Sequence, residues 1–402
     1  MAFLKNVINK PITGEWGIEG EKVSVLRTTN FTNKGVLDLS NVIKRDISDK
    51  KIATKKLMKG DIIIEKSGGS PTQPVGRVVF FEEEGVFLCN NFTSILRPNK
   101  NLIEPKYLHY ILYASHKFRV TEMFQNKTTG IINLQLARYI DKIEIPLPSL
   151  ATQKRIAEIL DNATALRDKT KLLLEEYDQL AQSIFLEMFG DPVKNSMGWD
   201  IKKLDDLTNL ITDGKHGNCN DEKDSGYYFI SAKDVRNNNI NYSNTREIPK
   251  KEFEEVDRRT NLQPGDLVMV NTGSTIGRLA IAREIPETRR TTFQKSVAII
   301  KTKKEILIPE FLQYVFELRL KTFATKGSGS AIKNLLLSEM KRFQIITPPI
   351  KLQSQFADKI SLLEKQKELA KQELKESEDL FQALLQKAFK GELVKEKELE
   401  IN

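Results

Sequence analysis

The feature that most constrains this chain is that it is written twice. The stretch Pro148-Ser149-Leu150-Ala151-Thr152-Gln153 returns 200 residues later as Pro348-Pro349-Ile350-Lys351-Leu352-Gln353. At the same offset Ile156 falls on Phe356, Leu180 on Leu380, Ile184 on Leu384 and Phe189 on Phe389. Upstream the spacing drifts by a few residues, as loop insertions make it do. Leu57-x-x-Gly60-Asp61-Ile62 returns as Leu262-x-x-Gly265-Asp266-Leu267, Gly76-Arg77 as Gly277-Arg278, and Val23-x-Val25-Leu26 as Tyr227-x-Phe229-Ile230. A chain of 402 residues is long enough for two or three folded units. The duplication makes them two copies of one scaffold that differ in surface detail.

Each half runs in the same order. A globular stretch of mixed character comes first, with short β-branched runs (Asp61–Glu65, Val75–Phe81 and Val86–Cys89; then Tyr227–Ser231, Asp266–Asn271 and Val297–Lys301) punctuated by Gly and Pro turns. A short helix is expected after Glu104-Pro105, and its counterpart after Ile308-Pro309, with Pro in the first turn. A long helix then starts at each Pro-rich boundary. The expected fold class is α/β: two similar α/β domains at 1–148 and 191–348, long helices at 149–190 and 349–393, and a frayed charged tail at 394–402.

Along the first long helix the apolar positions Ile156, Ala163, Leu166, Leu173, Tyr177, Leu180 and Ile184 form a heptad stripe, with polar Thr170 in it. The second shows Phe356, Ile360, Leu363, Ala370, Leu374, Phe381 and Leu384, with Leu380 and Ser377 in the same stripe. Two such stripes bury against each other as an antiparallel coiled coil, or each packs on its own domain or another chain. An antiparallel pair of helices, each about 55–60 Å long, would make a ruler between two similar, unequal domains related by a pseudo-twofold axis. If DNA is the ligand, half-sites about 34–36 Å apart suit such an object, and unequal domains imply a split, non-palindromic target.

Composition narrows the class. The chain has no run of 18 apolar residues, which excludes a membrane helix, and residues 1–10 carry no secretory-type apolar segment, so a soluble cytoplasmic protein is expected. Cys89 and Cys219, the two cysteines, cannot build a disulfide framework or a four-cysteine zinc site. The net charge of +9 permits nucleic acid as a partner without requiring it.

The layout resembles the specificity (S) subunits of prokaryotic type I restriction–modification enzymes. The resemblance rests on Ile145-Pro146-Leu147-Pro148 through Gln153 and Ile156, and on Thr347-Pro348-Pro349-Ile350 through Gln353 and Phe356. It rests also on the two Gly-Asp turns, on Asp213-Gly214-Lys215-His216-Gly217, and on the loops Thr129–Leu134 and Gly327–Leu335. It covers essentially the whole chain, and the duplicated order, not any one motif, is specific. The first repeat departs at its start, with Thr13-Gly14-Glu15-Trp16-Gly17 in place of the Asp-Gly-Lys-His segment. The resemblance implies that each globular unit is a target recognition domain and that the helices pair as spacers which also meet methyltransferase (M) subunits. It implies a complex, with two M subunits per chain and restriction (R) subunits as further partners, that methylates adenine N6. S-adenosylmethionine and ATP would sit on the partner subunits only, with no cofactor or metal on this chain.

DNA recognition needs Lys and Arg for phosphates, and Arg, Lys, Asn, Gln, Ser or Thr for base edges. In the first half the loops supply Lys66, Ser67, Ser70, Gln73 and Arg77, then Asn126, Lys127 and Thr128. In the second they supply Lys215, His216, Asn218, Lys233 and Arg236, then Asn271, Thr272, Ser274 and Arg278, and finally Lys326, Ser328 and Lys333. Polar glycine-rich loops occur on most protein surfaces, so each residue is a candidate only. Arg77 and Arg278 stand out because both halves place Gly-Arg after a Gly/Ser loop. The chain offers no G-x-x-x-x-G-K-[ST] phosphate loop and no Asn-Pro-Pro-Tyr-type methyltransferase motif, so a non-catalytic role is expected. The alternatives are a specificity chain of another restriction or phage-defence system, and a coiled-coil adaptor that binds no DNA.

Overall fold

The computed structural model describes residues 1–126, 131–325 and 334–394. The chain divides into two units, one made of Met1–Lys171 with Gln372–Asn402 and the other of Leu172–Lys371. Each long helix, Leu150–Phe189 and Ile350–Lys390, thus gives one half to each unit.

The sheet at the centre of the first unit has the strand order Ile12–Thr13, Thr93–Leu96, Ile62–Glu65, Val78–Phe80, all antiparallel. That of the second has Thr208–Asp213, Val297–Thr302, Leu267–Val270, Leu279–Ile281 in the same arrangement. Ile62-Ile63-Ile64 and Leu267 to Val270 read as unbroken apolar runs because both faces are covered. Ile62 and Ile64 face one core and Ile63 the other; Leu267 and Met269 divide from Val268 and Val270 in the same way. A three-stranded sheet of mixed direction flanks each, Ile43–Asp46, Ile18–Leu26, Phe87–Cys89 in the first and Arg246–Glu247, Tyr228–Ile230, Thr291–Phe293 in the second. A two-stranded pair closes each domain beside the long helix: Ala2–Phe3 with Glu144–Ile145, and Ile201–Lys203 with Gln344–Ile346.

The repeat holds at the level of single hydrogen bonds. Gln153 lies buried at the start of the first long helix, where its side-chain oxygen accepts from the Glu104 amide at 2.8 Å. Its amide group donates to the carbonyls of Leu102 (3.2 Å) and Pro148 (2.8 Å). Gln353 makes the same three bonds, to the Ile308 amide (2.9 Å) and the carbonyls of Ile306 (3.1 Å) and Pro348 (2.8 Å). One glutamine therefore ties the start of the long helix to the start of the domain's own helix, Pro105–Lys117 or Pro309–Thr325. This satisfies groups that a helix terminus leaves without intrahelical partners.

The Gly-Asp turns repeat as well. Asp61 accepts from the Met58 amide and takes a bidentate bond from Arg97, while Asp266 accepts from the Gln263 amide and pairs with Lys301 on the neighbouring strand. Lys301, near the end of its strand, thus holds a buried carboxylate.

Inside each unit the two long helices run antiparallel. In the first, Leu160 and Ala163 share a core with Phe381, Leu385 and Ala388, Arg167 lies over the Phe381 ring at 5.3 Å, and Lys171 pairs with Glu378 at 2.7 Å. In the second, Phe185 and Phe189 contact Phe356, and Lys367 pairs with Asp178 at 2.8 Å. The seam keeps Ile156, Ala163, Tyr177, Phe356, Ile360, Leu363, Ala370 and Phe381 from the sequence reading and moves its other apolar positions. Leu166 and Leu180 are 43% and 46% exposed, and Leu380 is 48% exposed. The inward positions are Ile156, Leu160, Ala163, Arg167, Thr170, Tyr177, Ala181 and Phe185, and 200 residues on they are Phe356, Ile360, Leu363, Lys367, Ala370, Ser377, Phe381 and Leu385. The spacings run 4, 3, 4, 3 as far as Thr170 and Ala370 and then 7, 4, 4, so the stripe follows helix geometry and accepts Arg, Thr, Lys and Ser within it. Leu173 and Ile184, like Leu374 and Leu384, are half-buried at its flanks.

Candidate nucleic-acid interface

In the first unit the loop that follows the central strand Ile62–Glu65 folds against a second loop. Ser67–Gly69 pairs with Ile132–Leu134, which pairs in turn with Gln125–Asn126. The Ser67 hydroxyl donates to Asn133, and the Leu134 amide to the Lys66 carbonyl. The second unit repeats this base: the Thr272 hydroxyl donates to Asn334 at 3.0 Å, and the Leu335 amide to the Asn271 carbonyl at 2.8 Å. Two polar loops distant in sequence are thus joined at their roots in each unit. Lys127, Thr128, Lys326, Ser328 and Lys333 lie outside the described residues.

The remaining candidates fall into two groups. Half-buried Lys66 makes no ion pair with any described residue, and burial holds its ammonium below the usual lysine value. Ser70 and Gln73 close a tight turn through paired backbone bonds, with Gln73 exposed. Asn126 is exposed opposite Asn133. In the second unit Lys233, Arg236, Ser274 and Arg278 are exposed, Thr272 is half-buried, and Asn271 is buried with its side-chain oxygen unpartnered.

The second group is engaged by other groups of the chain. Arg77 is buried: it forms a two-pronged pair with Glu65, both bonds 2.9 Å, and donates to the carbonyls of Phe31 (3.1 Å) and Thr28 (3.2 Å). Each of its three guanidinium nitrogens donates to an acceptor of the fold, which departs from its prominence in the sequence reading. Lys215 faces Glu252 and Glu255 at 3.9 and 3.6 Å, His216 meets Asp213 at 3.2 Å, and Asn218 accepts from Arg246 at 2.8 Å. Nearby, burial and a bond to Glu252 push the Cys219 thiol up to about 11; burial does the same to Cys89. Neither is a ready thiolate, and no group of three or more metal-ligating side chains occurs among the described residues.

The segment that differs most between the repeats in sequence is equivalent in backbone. The amides of Gly14 and Glu15 bond to the carbonyls of Thr93 and Cys89; those of Gly214 and Lys215 bond to Val297 and Phe293, the matching strand positions. A side chain on Gly14 would put its Cβ 2.0 Å from the Asn90 carbonyl oxygen, and on Gly214 1.9 Å from that of Phe293. Glycine is therefore demanded at both by close approach of backbone.

Sequence reasoning missed Lys117 and Arg119. They line a cleft with Thr32, Asn33 and Gln73, and they were legible only as solvated residues at the end of a helix.

Two mixed α/β units, each a pair of rooted polar loops carried on an antiparallel helix pair, define a duplicated recognition scaffold. A family model for the type I restriction modification DNA specificity domain matches residues 17–176 and again residues 197–378. The chain belongs to that family. The specificity subunit of the type I restriction enzyme EcoKI from Escherichia coli (strain K12) is 23% identical over 404 aligned residues, covering 94% of this chain and 83% of that protein. The crystal structure of a type I restriction–modification S subunit from M. genitalium superposes with a TM-score of 0.59 at 15% identity, over 96% of this chain and 95% of that one. A chain from a structural study of complex assembly and conformational transition in the type I restriction–modification system gives 0.60 at 15% identity, over 98% and 97%.

Proposed function

We propose that this chain is the DNA specificity subunit of a type I restriction–modification complex, and that it recognises a bipartite, asymmetric target. Each unit reads one half-site through its rooted loop pair, and the chain holds adenine-N6 methyltransferase subunits in register, two of them per chain, with restriction subunits joining as further partners. Base flipping and methyl transfer belong to those partners. S-adenosylmethionine and ATP are bound there and not here, and the complex works in the cytoplasm. No helix of the described residues is long and apolar enough to cross a membrane.

The observation that carries this reading is the contrast between scaffold and loops. Hydrogen bonds at the helix starts, Gly-Asp turns and loop roots repeat one for one. The side chains on the loops do not. Such a pair of units presents two related but distinct surfaces, which a split target requires. The test is to map N6-methyladenine across the genome of the source strain with and without the gene. Loss of one split, asymmetric motif on deletion supports the reading. An unchanged methylome in a strain whose partner subunits are expressed and active overturns it.

A further inference from the structure

The two Gly-Arg pairs occupy the same place in the fold and meet opposite fates. Amides of Glu65 and Val270 bond to the carbonyls of Arg77 and Arg278, and amides of Gly76 and Gly277 bond back to Glu65 and Val270. Glu65 and Val270 are therefore equivalent, and so are Arg77 and Arg278. In the first unit the carboxylate of Glu65 captures Arg77. In the second the equivalent residue is an aliphatic valine, and Arg278 is exposed with no ion pair to any described residue.

The neighbourhood diverges the same way. Arg77 also bonds the carbonyls of Thr28 and Phe31, in the turn that Asn30 caps. Asp234 caps the matching turn of the second unit, and the hairpin strand Val235–Arg236 that follows packs against Leu279–Ile281, next to Arg278. That turn and hairpin carry Lys233 and Arg236, both exposed and without a carboxylate partner among the described residues. Counting from the two caps, their counterparts in the first unit are Thr29 and Thr32. Asp234, the one acid of the turn, is buried and occupied by the Ser231 amide and hydroxyl.

We propose that Lys233, Arg236 and Arg278 form a phosphate-anchoring patch for duplex DNA, at three positions that in the first unit hold Thr29, Thr32 and the captured Arg77. These positions then contribute to the salt-dependent binding in the second unit and not in the first, where Arg77 serves the fold. This rests on the DNA-recognition reading above and deepens it: the two units differ in electrostatic grip as well as in the bases they read. A cation facing a phosphate displaces condensed counterions, and three unpaired cations on one turn and its neighbouring strand do so without first breaking an internal ion pair.

The experiment measures binding of the full-length chain to a fluorescently labelled, mixed-sequence DNA duplex over a salt series. The slope of log affinity against log salt should fall by about 0.9 for Arg278→Ala and by roughly two to three for the triple alanine variant. Val270→Glu should recreate the captured arginine and lose about as much slope as Arg278→Ala. Arg77→Ala should leave the slope unchanged, and Thr29→Lys with Thr32→Arg should steepen it. If the parent chain binds and the triple variant keeps its slope, the patch is wrong and the proposed function stands. If the parent chain shows no salt-dependent binding to duplex DNA, both fall together. Should Val270→Glu unfold the domain, the arginine and triple variants still decide.

Discussion

Arg77 and Arg278 look alike in sequence, hold the same backbone position and have opposite surroundings. The buried side chain of Arg77 is clasped by Glu65 and two carbonyls; Arg278 stands in solvent beside Val270. What duplication preserves is the pattern of main-chain bonds, because every buried amide and carbonyl must keep a partner. The side chains hung on that pattern are free to change unless another group depends on them. The largest expected contrast follows directly. Arg77→Ala leaves Glu65 buried without its counter-charge and should cost about 3–5 kcal/mol. Arg278→Ala should stay within about 0.5 kcal/mol of the parent. Urea unfolding of both variants measures this, and equal losses would break the comparison.

A second pair of equivalent residues separates the units by their response to acid. Counted from Pro105 and Pro309, His109 matches Gln313. His109 is buried among Phe80, Tyr110 and Tyr113, with Nδ1 unpartnered, and desolvation lowers its pKa to about 4. Gln313 is buried too but donates to Glu317 at 2.9 Å and carries no proton to gain. The native state keeps His109 neutral, whereas the unfolded chain takes up a proton below the ordinary value of about 6.5. Its contribution is complete above that pH and is lost as pH falls toward about 4, by up to about 3 kcal/mol. His109→Phe should flatten this acid limb while leaving stability at pH 7 unchanged or higher. Hydrogen exchange of the helix Pro105–Lys117 at pH 7 and pH 5 reads it out locally, and an unaltered acid limb would show that the ring is not its source.

The units and their order were legible because the duplicated motifs are those that main-chain bonding demands: Pro148 and Pro348 before the helices, Gln153 and Gln353 spanning two helix starts, glycine and aspartate at the turns. The helix seam was legible at Ile156, Ala163, Phe356, Ile360, Leu363 and Phe381 and slipped by one residue at Leu166 and Leu180. Leu166 and Leu180 drew the stripe toward themselves, yet Arg167 and Ala181 face inward. An arginine can lay its guanidinium over an aromatic face, here that of Phe381, and still pair with Asp168 at 3.0 Å. Matching Arg167 to Lys367 would have fixed the phase. The split between Arg77 and Arg278 depends on Glu65 and Val270, cross-loop neighbours whose pairing no local pattern encodes.

The glutamines test sameness in place of difference. Gln153 and Gln353 are each buried and make three equivalent bonds. Alanine at either leaves one amide and two carbonyls short of partners, so each substitution should cost about 2 kcal/mol, and the two costs should agree within roughly half of that. Markedly unequal losses would mean that the shared bonding carries different loads in the two units, and would restrict the equivalence to geometry. Glu in place of either glutamine keeps the acceptor and loses the two donor bonds, which separates the contribution of the helix-start amide from that of the carbonyls.

The smallest expected effect is also the most direct test of how freely a repeated backbone accepts new side chains. At the residue after the shared glycine, Glu15 meets Lys51 and Lys55 of the helix Asp49–Lys55 at 3.2 and 2.8 Å. In the second unit Lys215 meets Glu252 and Glu255 of the helix Lys250–Thr260. One contact is the other with its charges reversed. The bond from Lys55 and the nearby Lys51 hold the Glu15 carboxyl below its usual range, but these groups are partly exposed, so each pair is worth about 0.2–1 kcal/mol. Glu15→Lys alone places three lysines together and should cost about 1 kcal/mol, an effect that shrinks as salt screens the repulsion. Combining it with Lys51→Glu and Lys55→Glu gives the first unit the polarity of the second, and the loss should be recovered to within about 0.5 kcal/mol. Recovery would mean that the backbone fixes only that the two positions meet, leaving the sign of each to the residues around it. Failure to recover, with the triple variant no more stable than Glu15→Lys, would mean that the polarity is set by the rest of the unit.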